Sequence, residues 1–353
     1  MKGGQTFKMN KQSVVAVAVA IAFSANPAGS ARAAAAASAP AQSGSADDCQ
    51  FLRDQLADPA VREVVVPAGT YVCAKPVVMS RSGVSLIGRG RPTLKLADHA
   101  ESPLLVMGGL DDDSNGVPTP VTGLLVEGLL LDGNRANQAG ECWGGACDTG
   151  GTTGVRNSGL AMRGVRDCTV RNVEITGARS GGLVTERDSA GIHVQGLTAR
   201  DSFFDGLSVN WTRDSVFENL RLSGNAYAGL TMDTKVTGNV FRDGDISANR
   251  DVGIYMRRAG GNRFERLTLA SNRGHGVYLS DADGQAGTCA VDNVFSHVEA
   301  RCNGYDGFHM DGACAGNRIE DSVTAGNKGE PVRGAWLVSP TTRFETGKLC
   351  PAP

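Results

Sequence analysis

The sequence predicts an all-β fold, a right-handed parallel β-helix solenoid with about 23 residues per coil and a short N-terminal capping helix. Two repeats that share one step, and apolar alternation with period two within each repeat, support this prediction. A Gly-apolar-x-apolar unit begins at Gly159, Gly182, Gly206, Gly229, Gly253, Gly276 and Gly307, at steps of 23, 24, 23, 24, 23 and 31 residues. An asparagine recurs at Asn225, Asn249, Asn272, Asn303 and Asn327, at steps of 24, 23, 31 and 24 residues.

Stacking of the repeat units follows from their size. A unit of about 23 residues with two short strands cannot bury its own apolar face, whereas stacked units bury a continuous interior. Period two places every second residue inside and makes helical solenoids a poor alternative, because their repeats run longer and follow a period of 3.6. Asparagine at a recurrent turn tolerates left-handed backbone, and we expect it to hydrogen-bond to its neighbours in the stack.

The N-terminal segment has the pattern of a secretory signal peptide. Val14 to Phe23 is a short apolar run after several lysines, and Ala31-Arg32-Ala33 is a small-x-small cleavage site, so residues 1–33 are predicted to be the signal. Met9 is an alternative start. Residues 34–47 are rich in Ala, Ser and Pro and are expected to form a flexible leader. We therefore expect a secreted or periplasmic protein.

Residues 48–353 are predicted to form a single β-helix domain. Asp48 to Leu56 has the pattern of an amphipathic helix that caps the first coil and covers its exposed edge. Nine cysteines suit an oxidising compartment. The expected pairs are Cys49–Cys73, Cys142–Cys147, Cys289–Cys314 and Cys302–Cys350, with Cys168 left as a buried thiol.

The sequence resembles the pectin-lyase-like right-handed β-helix superfamily from about Cys49 to Val338. The resemblance rests on Pro67-Ala-Gly-Thr-Tyr71, on Leu131-Asp-Gly-Asn-Arg135 and on the two repeats. It implies the fold but not one reaction, because the superfamily includes polysaccharide lyases, glycoside hydrolases, sugar-polymer epimerases and non-catalytic periplasmic proteins.

Polar and aromatic residues concentrate at the outward positions of the later repeats. The third and fifth residues of each Gly-apolar-x-apolar strand point outward if the apolar ones point inward. The candidate catalytic residues are Asp233, Tyr255, Arg257, Tyr278, His309 and Asp311. The candidate substrate-binding residues are Asn210, Trp211, Lys235, Arg258, His275 and Trp336. Arg and Lys bind carboxylates, Tyr and Trp pack on sugar rings, and Tyr and His transfer protons, so the set suits an acidic polysaccharide. An ordinary solvated strand face is the alternative.

Proton abstraction beside a uronate carboxylate is the predicted reaction, leading to β-elimination or C5 epimerisation. Hydrolysis is the second hypothesis, because Gly274-His275-Gly276 resembles an element of the pectin-type glycoside hydrolases. Asp233 and Asp311 should lie about 14 Å apart across the coils, beyond the roughly 6.5–9.5 Å of inverting hydrolysis. A non-catalytic carbohydrate-binding or assembly protein is the third hypothesis.

Composition restricts the partners. A formal net charge of −2 and 5% aromatic residues do not favour nucleic-acid binding, and no apolar run is long enough for a membrane span. We expect a monomer whose partner is a polysaccharide or oligosaccharide substrate. No cofactor and no zinc spacing are predicted. Calcium at Asp111-Asp-Asp-Ser-Asn115 is the alternative to a solvated turn there.

Overall fold

The fold is a parallel β-solenoid of about ten turns with about 24 residues per turn, as the sequence predicts. The computed structural model describes residues 47–110, 119–139, 157–281, 287–312, 314–345 and 350, and the backbone of the strands Cys142–Trp143 and Ala146–Cys147. Strands of successive coils pair in parallel register and form three ladders that run along the solenoid. In the described part of the chain, no helix is long and apolar enough to cross a membrane.

The strands of the three ladders have the following bounds. The first ladder contains Val77–Met79, Leu105–Gly108, Leu160–Arg163, Leu183–Glu186, Leu207–Asn210, Leu230–Thr237, Ile254–Gly260, Val277–Leu279, Phe308–Met310 and Val332–Arg333. Beside it lie Val121–Thr122, Val165–Arg166, Ser189–Ala190 and Thr212–Arg213. The second ladder contains Glu63–Val66, Ser85–Gly88, Leu125–Glu127, Thr169–Arg171, His193–Gln195, Val294–Ser296, Arg318–Glu320 and Leu337–Val338. The third contains Thr70–Cys73, Thr93–Leu96, Leu130–Asp132, Glu174–Thr176, Thr198–Arg200, Glu299–Arg301, Val323–Ala325 and Arg343–Glu345.

Three long strands join the second and third ladders in the middle of the solenoid. Val216–Ser223 and Arg263–Ala270 each pair with strands of both ladders, and Val240–Ser247 lies between these two long strands and pairs with both. At the N-terminal end the helix Gln50–Ala57 turns Leu52 and Leu56 into the core, and the Cys49–Cys73 disulfide attaches it. This arrangement confirms the predicted capping helix. A single 3-10 turn covers Arg135–Asn137.

The interior is built from identical positions on successive coils. The rings of Phe217, Phe241, Phe264 and Phe295 are fully buried and nearly parallel, with centroids 4.8, 5.2 and 4.4 Å apart. Each ring continues the stack of the previous coil because the parallel register pairs these phenylalanines directly. The period-two pattern therefore produces both the strands and the core between them.

The predicted asparagine ladder is present, and a second one accompanies it. Along the first ladder of asparagines, each Nδ2 donates to the next Oδ1 at 2.9–3.0 Å, from Asn225 through Asn249, Asn272 and Asn303 to Asn327. The second runs from Asn239 through Asn262 and Asn293 to Asn317, with Nδ2–Oδ1 distances of 3.0 Å. These amides satisfy one another where water is excluded, so each turn of the backbone is held to the next.

Three of the expected disulfides are formed: Cys49–Cys73, Cys289–Cys314 and Cys302–Cys350. Cys168 is a free and fully buried cysteine, as predicted, and burial raises the pKa of its thiol. The expected Cys142–Cys147 bond lies outside the described residues, although the backbone there pairs these two positions antiparallel.

The outward face of the early coils differs from the prediction. Ala161, Val184, Ser208 and Thr231 were expected to be exposed, but they are only 1%, 1%, 2% and 8% exposed. Ala161 also packs with Val106 in a small second cluster outside the main core. From Ala161 onward, exposure at the third strand position therefore begins at Tyr255, on the coil that follows Thr231.

Candidate functional site

The parallel register aligns the predicted site residues of the first ladder. Thr231, Tyr255, Tyr278 and His309 are direct Cα partners on four successive coils, and Asp233 is paired with Arg257 in the same way. Alternation turns these side chains away from the core, and Tyr255, Tyr278 and His309 are half-buried rather than fully covered. We call the following set the site face: Asp233, Tyr255, Arg257, His275, Tyr278, Asp306, His309 and Asp311.

A continuous chain of hydrogen bonds crosses the site face. The Tyr278 hydroxyl donates to Asp311 Oδ2 at 2.5 Å, and Asp311 Oδ1 lies 2.9 Å from His309 Nε2. The other ring nitrogen, His309 Nδ1, lies 2.7 Å from Asp306 Oδ2. Asp306 Oδ1 in turn accepts the main-chain N–H of Glu330 at 2.6 Å. The two carboxylates thus contact opposite nitrogens of one imidazole.

The charge states follow from these contacts. Burial acts against ionisation of Asp306 and Asp311, but the hydrogen bonds from His309, Tyr278 and the Glu330 N–H outweigh it and lower the pKa of both carboxyls. Burial and the nearby Asp311 raise the pKa of Tyr278 to about 12, so its hydroxyl keeps its proton at neutral pH. Tyr278 is therefore a hydrogen-bond donor with a carboxylate in position to take its proton.

His275 lies on the coil before Asp306, at the same position relative to the repeat glycine. Its Nδ1 accepts the main-chain N–H of Asp306 at 3.1 Å and lies 3.5 Å from Asp306 Oδ2. Its ring centroid is 4.3 Å from that of His309 and 5.3 Å from that of Tyr278. Burial and the neighbouring His309 lower the pKa of His275 to about 4. The ring is neutral at pH 7, and the hydrogen bond assigns its proton to Nε2.

Arg257 is held by the carboxylate of the preceding coil. Its terminal nitrogen NH2 donates to Asp233 Oδ2 at 2.6 Å, and this bond raises the pKa of Arg257 despite partial burial. Its Nε is buried and has no hydrogen-bond partner in the structure. Lys235 and Arg258 are exposed beside it, both with left-handed backbone, where a bulge interrupts the pairing between Asp233 and Val236.

Aromatic rings continue the site face towards the N-terminal coils. Phe204, Tyr227, Tyr255 and Tyr278 lie on successive coils with ring centroids 5.1, 6.1 and 5.5 Å apart. Tyr305, which is 59% exposed, lies 5.3 Å from the His275 ring at the other end. A row of flat rings parallel to the solenoid axis suits the faces of sugar rings.

Two predicted substrate-binding residues are placed differently. Trp336 is only 9% exposed, and its ring packs edge-on against Phe295 and Phe308, so it closes the core instead of flanking the site. Asn210 is 6% exposed and donates to Ser208 Oγ on the covered early part of the ladder. Trp211 is 43% exposed, as predicted, but lies on an early coil.

Sequence reasoning missed Asp306, which sits between His275 and His309. The repeat contained the signal, because His275 precedes Gly276 and Asp306 precedes Gly307, the paired glycine of the next coil. The carboxylate pair considered from the sequence, Asp233 and Asp311, therefore did not include the pair Asp306 and Asp311 that His309 brings together. Their oxygens lie within about 8 Å of each other, the sum of two hydrogen bonds and the width of the imidazole ring.

Three segments fall partly or wholly outside the described residues. They are the inserted loop around Asp281-Ala-Asp-Gly284 in the 31-residue repeat step, the loop Gly140 to Cys147 with its expected disulfide, and the acidic run Asp111 to Asn115. The neighbouring Asp281 and Cys289 are described, and the Cys289–Cys314 disulfide fixes the return of the inserted loop close to Asp311.

The fold and the outward polar row define a class, the parallel β-helix with polar side chains along one ladder. A family model described as the right handed beta helix region matches residues 158–342, just over half of the chain. The chain belongs to this family, within the pectin-lyase-like superfamily. A comparison with curated protein sequences finds no match.

Solved structures share the fold at low sequence identity. The Azotobacter vinelandii mannuronan C-5 epimerase AlgE6 A-module is 13% identical, covering 86% of this chain and 96% of its own, with a TM-score of 0.50. The periplasmic alginate epimerase AlgG is 12% identical, covering 85% and 88%, with a TM-score of 0.52. The enzymatically active domain of bacteriophage CBA120 tailspike protein 2 is 13% identical, covering 86% and 44%, with a TM-score of 0.57. At these identities the likeness concerns the fold alone.

Proposed function

We propose that the protein is an exported enzyme that acts on a uronate-containing polysaccharide by removing the proton beside the sugar carboxylate. The observation that carries the proposal is the Tyr278–Asp311 hydrogen bond on the same accessible face as Arg257. A proton carrier and a guanidinium on adjacent coils are what this chemistry requires. The likeness to two alginate epimerases and the disulfides agree with an exported protein that acts on an acidic polymer.

In the first step, Tyr278 Oη takes the C5 proton of the uronate while its own proton passes to Asp311 Oδ2. This relay avoids a free tyrosinate, which the raised pKa of Tyr278 disfavours. Arg257 binds the substrate carboxylate with the terminal N–H groups that Asp233 leaves free, and stabilises the negative charge that the C–H electron pair creates.

The second step decides the product. In elimination, that electron pair forms the C4–C5 double bond, the C4–O bond breaks, and the leaving oxygen takes a proton from the site. In epimerisation, a donor on the opposite face of the sugar returns a proton to C5 and the chain stays intact. The neutral His275, with its proton on Nε2 and its ring centroid 5.3 Å from that of Tyr278 on the same face, is the candidate proton donor to the leaving oxygen in elimination.

Hydrolysis is the second candidate, and the Asp306–Asp311 pair favours it. Their separation of at most about 8 Å falls within the roughly 6.5–9.5 Å used by inverting glycoside hydrolases. Both carboxylates, however, contact His309, and Asp306 is only 7% exposed. Asp306 is therefore poorly placed to activate a water, and proton abstraction remains the better-supported reaction.

The test is a panel of polyuronates and neutral polysaccharides treated with the purified, disulfide-intact protein. Unsaturated ends seen by ultraviolet absorbance identify a lyase, inverted C5 centres seen by NMR an epimerase, and saturated new reducing ends a hydrolase. Tyr278→Phe should reduce turnover by about 10²–10⁴-fold. Tyr71→Phe, at the N-terminal end of the solenoid, is the matched control. Binding without any chemical change would refute the enzyme and support a binding protein.

A further inference from the structure

We propose that His275, Asp306 and His309 form a binding site for one divalent transition-metal ion of the zinc class. The inference goes beyond the proposed reaction, because the site stands on its ligand geometry whether or not the protein is an enzyme. The sequence alone did not indicate it, since the three residues come from two coils and share no familiar spacing.

The three side chains already converge. Each offers one ligand atom, and the three atoms lie within 4.8 Å of one another. Asp306 Oδ2 is 2.7 Å from His309 Nδ1 and 3.5 Å from His275 Nδ1. Tetrahedral bonds of about 2.0–2.1 Å place neighbouring ligand atoms about 3.3 Å apart. Side-chain rotations that shift the ligand atoms by about 1–1.5 Å therefore bring all three onto one ion.

The solenoid holds the ligands in place. The Gly276 N–H donates to Asp306 O at 3.0 Å, so the segments that carry His275 and Asp306, just before their strands, are hydrogen-bonded neighbours. His309 follows Asp306 by three residues on a strand that is itself paired with Val277–Leu279. Because the backbone positions are fixed by the ladder, metal binding needs side-chain movement only, in which the His275 ring gives up the hydrogen bond that its Nδ1 accepts from the Asp306 N–H.

The ligand set selects the class of ion. Two imidazoles and one carboxylate suit Zn²⁺, Ni²⁺ or Cu²⁺, whereas Ca²⁺ prefers six to eight oxygen ligands. The side chains of His275, Asp306 and His309 are 17%, 7% and 13% exposed, so they are shielded but reachable from the site face. Three protein ligands leave a fourth position open to water or to a substrate oxygen, as in catalytic zinc sites.

The surroundings also favour a cation. Arg333 is the register partner of His309 on the next coil, so one cation is near the site, but two carboxylates outnumber it. In the part of the chain that the structure describes, Asp306 and Asp311 contact His, Tyr and main-chain donors, and no Lys or Arg lies within ion-pair distance of either. A dication there neutralises this pair. If the proposed function holds, the ion also attracts the uronate carboxylate towards Tyr278, in addition to Arg257.

The experiment measures metal binding directly on the tag-free protein with its disulfides intact. Zn²⁺ is titrated against a chromophoric chelator, with Ca²⁺ in parallel, and thermal denaturation is followed with and without Zn²⁺. We expect one Zn²⁺ per chain, an affinity at least 100-fold above that for Ca²⁺, and a higher melting temperature with zinc. His275→Ala and Asp306→Asn should each weaken zinc binding at least 100-fold and abolish the thermal shift.

His193→Ala is the matched control, because His193 also contacts a carboxylate, Glu218, but lies on the second ladder. It should bind zinc like the wild type. If a ligand variant fails to fold, His309→Gln supplies the same test. Equal zinc affinity in wild type and ligand variants, or equal affinity for calcium, would overturn the site. Zinc binding without action on any polymer would refute the proposed function only, and turnover without zinc binding would refute the metal site only.

Discussion

Removal of one asparagine side chain from the middle of the first asparagine ladder should destabilise the whole solenoid. Asn272 is 1% exposed. Its Oδ1 accepts from the main-chain N–H and the Nδ2 of Asn249, both at 3.0 Å. Its Nδ2 donates to Ile246 O and to Asn303 Oδ1, both at 3.0 Å. Asn272→Ala therefore removes four hydrogen bonds at once.

The magnitude follows from these partners. At about 1 kcal/mol net for each hydrogen bond, the loss is about 4 kcal/mol. Most of it arises from polar groups that stay buried without a partner, above all the Asn249 N–H and the Ile246 carbonyl, because no water replaces the amide there. Asn327 at the end of the same ladder also makes four side-chain bonds, but it is only half-buried. Asn327→Ala should cost about half as much, since water reaches its former partners.

The assay is equilibrium unfolding in urea, followed by circular dichroism with the disulfides intact. The shift in midpoint multiplied by the slope gives the change in free energy of unfolding for each variant. Ser271→Ala, at the exposed neighbouring position, controls for local effects and should change stability by less than about 0.5 kcal/mol. A cost below about 1 kcal/mol for Asn272→Ala, or equal costs at Asn272 and Asn327, would refute the argument that buried amides hold the coils together.

Three further predictions concern the core, pH and the cysteines. Leu279→Ala, at a fully buried position beside Tyr278, should lower the free energy of unfolding by about 2–5 kcal/mol in the same urea assay, without a specific kinetic defect in turnover. The hydrogen bond from His193 and the contact with Arg242 lower the pKa of Glu218 despite its partial burial. Glu218 therefore stabilises the fold above its unfolded pKa of about 4.3 and loses this contribution as pH falls through its folded pKa, so Glu218→Gln should flatten the acid side of the stability profile. Thiol titration of the unfolded, unreduced protein should detect at least Cys168 and at most three free thiols, and seven or more would contradict the disulfide framework.

The sequence predicted the fold well because every coil of the solenoid uses the same inward and outward positions. Each coil must supply an inward apolar residue at the same place, so Phe241, Phe264 and Phe295 recur at the step at which they stack. The outward alignment of Tyr255 with Tyr278 follows from the same register. The second asparagine ladder was equally visible at Asn239, with the same steps, and was overlooked.

The site was predicted less completely because burial on the outer face does not follow the repeat. Thr231 and Asn210 occupy outward positions yet are covered, and period two carries no information about what lies over a strand. Trp336 was predicted to bind substrate because tryptophan packs on sugar rings, but in the last coils its ring completes the core beside Phe308. Asp306 precedes the strand in a turn, where side-chain direction depends on local backbone geometry rather than on alternation.

The inserted residues of the 31-residue coil are free to change, whereas the stacked core and the asparagine ladders must keep their spacing. Phe264 pairs with Phe295, and Asn262 and Asn272 bond to Asn293 and Asn303, as if the extra residues were absent. The additional chain leaves after Leu279 and returns before Val294, at the edge of the site face. The inserted segment can therefore lengthen or change in sequence while core and ladders keep their spacing. If the protein acts on a sugar polymer as proposed, exchange of this segment is a route to altered substrate selection without loss of stability.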